Sequence, residues 1–158
     1  MYFRSRIALL AAFFVCVFLS AVSSASVLPF IEGKGIVVRY DPALRNAAVE
    51  VARAFPGTKS ELESLLGWRV DFVPQVVLVR RHAQFVEMAG SGIFTAYALP
   101  ARNLIVIDYS RMGTALDLRS TTRHELCHLF LHARIGTYLP RWLDEGVAQW
   151  ASGGASEM

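Results

Sequence analysis

Cysteine is scarce in this chain: there are two in 158 residues, and one of them lies in an N-terminal apolar segment. That segment, "IALLAAFFVCVFLSAV" (residues 7–22), follows the basic "MYFRSR" and precedes "SSAS". Ser23 and Ala25 stand at the −3 and −1 positions of a signal-peptidase site, so residues 1–25 are expected to be a cleaved secretory signal. With them removed, Cys127 is alone and an intramolecular disulfide is excluded even in an oxidising compartment. The alternative is an uncleaved signal anchor, but the apolar run is 16 residues, short of the roughly 20 that span a bilayer. "FFVC" also lacks the small residues that precede a lipidated cysteine, which argues against a lipid anchor at Cys16.

Runs of one charge are absent too. Lys and Arg number 16 against 13 acids. Loss of Arg4 and Arg6 with the signal leaves 14 against 13, a mature net charge of about +1. A nucleic-acid interface would need clustered cations on one face, so that class is excluded. Repeats and low-complexity segments are missing as well, and the length suits one domain with a single core.

What is present reads as a succession of strands and helices. Residues 26–34 ("SVLPFIEGKG" runs through them) are expected to be a linker, and "GIVVRY" (35–40) a strand rich in β-branched residues. Asp41 and Pro42 open a helix whose Leu44, Ala47, Ala48, Val51 and Phe55 share a face. "PG" at 56–57 is expected to stop it, with Ser60 and Glu63 capping a second, short helix that ends at Gly67. "VVLV" (76–79) has the continuous apolar character of a strand covered on both faces. A short amphipathic piece through Phe85 and Met88 follows, then "GSG" (90–92) and a hairpin over 93–108. Two helices, about 117–134 and 141–151, complete the chain. The order predicts an α+β domain, a small mixed sheet packed with helices.

Chemistry concentrates in "RHELCHLFLH" (123–132). His124, Glu125 and His128 form H-E-x-x-H, and on a helix residues four apart stack on one face, so both imidazoles can reach one ion. Leu126, Leu129, Phe130 and Ala133 fall on the other side and are expected to face the core, with the His/Glu edge turned away from it. Three protein ligands and an open position are usual at a catalytic zinc. His132 shares the side of His124 but lies about 12 Å along the axis, too far to bind the same ion. It remains a candidate for substrate contact or an exposed side chain. Another element must supply the third ligand, and "LPRWLDEGVAQW" (139–150) offers Asp144 and Glu145. Leu143, Val147 and Trp150 share a side expected to be core, both acids point off it, and Gly146 would permit close helix approach. Geometry leaves the choice between the two acids open.

"HELCH" followed by "LPRWLDEGVAQW" resembles the gluzincin metallopeptidases, and most of all their small secreted bacterial peptidase-MA-like domains. In that family a Trp-Leu-x-Glu-Gly segment carries the third zinc ligand, which maps onto Trp142, Leu143, Glu145 and Gly146. The resemblance therefore implies one Zn²⁺ held by His124, His128 and Glu145, Glu125 as general base, and a zincin-like domain over 35–158. It implies hydrolysis of a peptide or protein substrate outside the cytoplasm, secreted or periplasmic. It is specific over 124–150 and looser in the upstream strands.

The thermolysin-like members of that superfamily take an oxyanion donor from a following subdomain, whereas 13 residues follow Glu145 here. Tyr138, Tyr97, His132 and Arg141 are candidates for that role, or for substrate contact, by residue type. The strand around Tyr97 to Leu99 could accept an extended peptide as an added strand, with an ordinary sheet strand as the plainer reading. Cys127 is expected to be a small buried thiol rather than a ligand. Two other readings stand beside the enzyme: a zinc-binding module that engages a partner without turnover, and a membrane-anchored structural protein, which requires residues 7–22 to stay attached. Nucleic acid is not an expected partner, a membrane is one only in that last case, and the oligomeric state is left open.

Overall fold

A computed structural model describes residues 28–153; the expected signal at 1–25, with Cys16, lies outside them. The elements are β1 (Phe30–Gly33), β2 (Ile36–Tyr40), α1 (Arg45–Leu66), β3 (Gln75–Val79), α2 (His82–Ala89), β4 (Ala96–Leu99), β5 (Leu104–Asp108), α3 (Ala115–Ile135) and α4 (Arg141–Ala151). The strands form one mixed sheet in the order β1-β2-β3-β5-β4. β2, β3 and β5 run parallel, and each outer strand is antiparallel to its neighbour. Among the described residues no helix is long and apolar enough to cross a membrane.

Residues 30–33, expected in the linker, pair with 36–39 as β1. Their side chains alternate between exposed and half-buried, so the segment carries little hydrophobic signal, and the ladder is set by the turn at Gly35, whose φ of 81° suits glycine. The break expected at Pro56-Gly57 does not occur, and α1 runs through both. Proline forfeits one helical hydrogen bond, but the buried stripe Ala48, Val51, Ala52, Phe55, Thr58 and Leu62 crosses the site without interruption. Packing of that stripe outweighs the local penalty.

β3 has the two-sided burial expected of it. Val76 and Leu78 join Ile36, Val38, Ile105 and Ile107 in the main core beneath α1 and α3. Val77 and Val79 join Val106 and Phe85 in a smaller core under α2. Strand alternation sends successive side chains to opposite faces. β4 closes one edge of the sheet and lies against α3.

Helix α3 is fixed at both ends. Thr114 Oγ1 accepts from Asp117 N at 3.2 Å while Asp117 Oδ2 accepts from Thr114 N at 2.8 Å, a reciprocal cap. Gly136, at φ 72°, ends it and donates to the His132 carbonyl. On its flank Arg123 Nη1 donates to Glu61 Oε2 of α1 at 2.7 Å. The core face of α3 is Leu118, Leu126, Cys127, Leu129, Phe130 and Leu131; Ala133, expected among them, is exposed.

Candidate metal centre

α3 and α4 form a helical hairpin that brings His124, His128 and Glu145 together. His124 Nε2 and His128 Nε2 are 3.2 Å apart, and Glu145 Oε2 stands 3.5 Å from the first and 3.9 Å from the second. The circumradius of that triangle is about 2.1 Å, so one point in its plane is at coordination distance from all three atoms. These residues could hold a metal ion. The electrostatics agree with that use: burial, reinforced by the neighbouring His128, holds the pKa of His124 below its ordinary value against the pull of Glu145 and Asp144. A neutral imidazole presents a lone pair, and a cation relieves the opposition of two such nitrogens.

The choice left open between Asp144 and Glu145 resolves into two positions. Glu145 reaches the Nε2 atoms, whereas Asp144 Oδ1 lies 3.0 Å from His128 Nδ1, on the far side of the ring. The hydrophobic pattern of α4 had concealed this. Its buried residues are Ala148 and Ala151, one and two turns beyond Asp144 on the same side, and Trp150, expected in the core, is 49% exposed. Small side chains let α4 approach α3 closely, so the acid on their line meets the histidine. Gly146 has no such role, for a methyl group there would touch nothing within 4 Å.

Glu125, expected on an edge turned from the core, is 8% exposed. Burial pushes its carboxyl up to about 7, with Glu145 and Asp144 adding to the rise and His128 opposing it. Such a group exchanges protons near neutrality. Cys127 is fully buried, and burial, with Asp144 nearby, raises its thiol to about 12. It is a core residue, as expected, and inert.

The centre opens into a cleft of about 850 Å³ bordered by His124, Glu125, His128 and Glu145. Tyr97, Tyr138 and Arg141, singled out by residue type, also border it; His132 does not. The His132 ring packs 5.3 Å from that of Tyr138, and its Nδ1 is buried without a hydrogen-bond partner. The Tyr97 ring packs 5.6 Å from Phe85 in the smaller core, and burial raises its pKa. Tyr138 and Arg141 are both exposed. Ile93 and Phe94 also line the cleft. They open the hairpin expected over 93–108, and nothing in their residue types marks them for exposure.

No protein-family model, no curated protein and no solved structure matches the chain.

Proposed function

We propose that the protein is a zinc-dependent peptidase of gluzincin type on a zincin-like fold, exported by its N-terminal signal. The donor triangle carries this reading. Two imidazole nitrogens and one carboxylate oxygen form a ligand set suited to zinc. Their separations of 3.2, 3.5 and 3.9 Å bracket the ~3.4 Å edge of a tetrahedron with ~2.1 Å bonds. With three protein ligands, zinc held there would keep a fourth position for water or substrate, as catalytic rather than structural sites do.

Zinc bound there would polarise a peptide carbonyl and acidify the attacking water. The chain's own residues do the rest. Glu125, beside both histidines and poised near 7, takes the water's proton and returns it to the leaving amine. The Asp144 carboxylate, 3.0 Å from His128 Nδ1, favours the tautomer with the proton on Nδ1 and so Nε2 as the ligand. β4 is a sheet edge bordering the cleft, with unpaired backbone groups on which an extended peptide can lie. Tyr138 and Arg141 border the cleft, and on this reading they meet the negative charge that develops on the carbonyl oxygen.

Zinc content and cleavage of a quenched peptide library by wild type and Glu125→Gln test this reading. One zinc per chain in both proteins is expected, with turnover reduced about 10²- to 10⁴-fold in the variant. Zinc without cleavage in wild type would leave a binding module; absence of zinc would remove both readings.

A further inference from the structure

The loop 90–95 that leads into β4 is held from two sides. Arg111 Nη1, from the turn after β5, donates to three successive carbonyls: Gly92 at 2.8 Å, Ile93 at 3.5 Å and Phe94 at 3.2 Å. Behind the loop, Gly92 is seated against α2, where an added methyl group would come within 3.0 Å of His82 Nε2 and 3.2 Å of Val86 Cγ2. His82 is itself tied to Asp108 at the end of β5. The loop backbone is tied at these points, yet Ile93 is 82% and Phe94 47% exposed, and both line the cleft that contains the donor triangle.

Single exposed apolar residues are ordinary on any surface. Two adjacent ones on a backbone clamped through its carbonyls differ, because a fixed apolar wall loses little conformational freedom when a ligand covers it. We propose that Ile93 and Phe94, positioned by Arg111, form a subsite that selects peptides with a large apolar side chain near the bond cleaved; this rests on the peptidase reading above. Tyr138, 77% exposed, stands among the residues bordering the same cleft. An apolar side chain entering it is covered by ring and aliphatic surface, while the substrate backbone keeps the edge of β4 for its hydrogen bonds.

The test needs no turnover. Zinc-loaded Glu125→Gln protein is titrated, by fluorescence anisotropy, into two capped, dye-labelled hexapeptides that differ in one central residue, phenylalanine or alanine. The phenylalanine peptide is expected to bind about tenfold tighter or more. Adding Ile93→Ser and Phe94→Ser together, both surface changes, should reduce that preference below about threefold. Arg111→Gln should remove most of it with both apolar side chains still present, and Arg111→Lys should restore part. Equal binding of the two peptides, failure of the phenylalanine peptide to bind, or a preference that survives the double change would overturn the subsite. A preference unaffected by Arg111→Gln would overturn the role of Arg111. Selective binding together with no cleavage by wild type would overturn the peptidase reading and leave the subsite standing.

Discussion

Two histidine–aspartate pairs sit at opposite ends of this molecule's chemistry, one a hydrogen bond and the other a charge contact without hydrogen-bond geometry. In the cleft, His128 Nδ1 faces Asp144 at 3.0 Å; at the end of β5, His82 Nδ1 faces Asp108 at 2.6 Å. The difference lies in what surrounds each pair. Asp108 is wholly buried and saturated, accepting from Ser110 N, Ser110 Oγ and His82, while the Nε2 of its histidine abuts Gly92. Asp144 is half-buried, and the Nε2 of its histidine points at a second imidazole and a second carboxylate. One pair fastens the loop and turn that shape the cleft wall. The other stands behind a nitrogen of the triangle that could hold a metal ion. Identical functional groups acquire different work from the atom that the far nitrogen meets.

Substitutions should separate the two pairs by what they change. The largest effect is expected from His128→Ala, which removes a donor of the triangle: zinc measured by atomic absorption after gel filtration should fall from one per chain to none. Next, Asp108→Asn should cost about 2 kcal/mol in denaturant midpoint experiments, because a buried acceptor of three hydrogen bonds loses its charge, while zinc affinity stays as in wild type. The pH dependence of that loss has a defined sign. Burial acts to raise the pKa of Asp108, but the hydrogen bonds from Ser110 and His82 outweigh it and hold the value below normal. A depressed carboxylate contributes stability above its unfolded pKa, near 4, and loses it as pH falls through the folded value. The gap between wild type and Asp108→Asn should therefore close in acid.

Asp144→Asn should do the reverse of Asp108→Asn. Competition with a chelator should show zinc affinity about 10- to 100-fold weaker, with the unfolding midpoint of the metal-free protein little changed. The smallest effect is expected from His82→Gln. Its side chain is 46% exposed, and a pair with one solvated partner contributes under about 1 kcal/mol. A large loss of zinc there would break the contrast between the pairs.

The part of this arrangement that was legible in advance is the part encoded by local spacing. His124 and His128 lie one turn apart on any helix, and the caps Thr114 and Gly136 mark the ends of that helix by residue type. The strands β2, β3 and β5 show in their β-branched runs. Properties set by tertiary contact were not legible. Which acid met the Nε2 atoms depended on which side of α4 packed; of the large apolar residues expected to mark that side Val147 does pack against the core, beside Ala148 and Ala151, whereas Trp150 is half exposed. β1 has a weak apolar signal of its own and exists through pairing with β2. The helix through Pro56 is kept by burial that no propensity scale contains. His82 and Asp108 are 26 residues apart on different elements, and neither has a motif around it.

The donors His128 and Glu145 are separated by 16 residues of a single helical hairpin, closed at Gly136. An ion gripped by both would therefore act on the unfolded chain much as a covalent cross-link does, shortening the loop that folding must close. Cys127 is the one cysteine among the described residues, so no disulfide links them, and a metal held by the three donors would supply a cross-link of its own. On the peptidase reading proposed above, metal availability would then govern how long the folded protein survives as well as how fast it works.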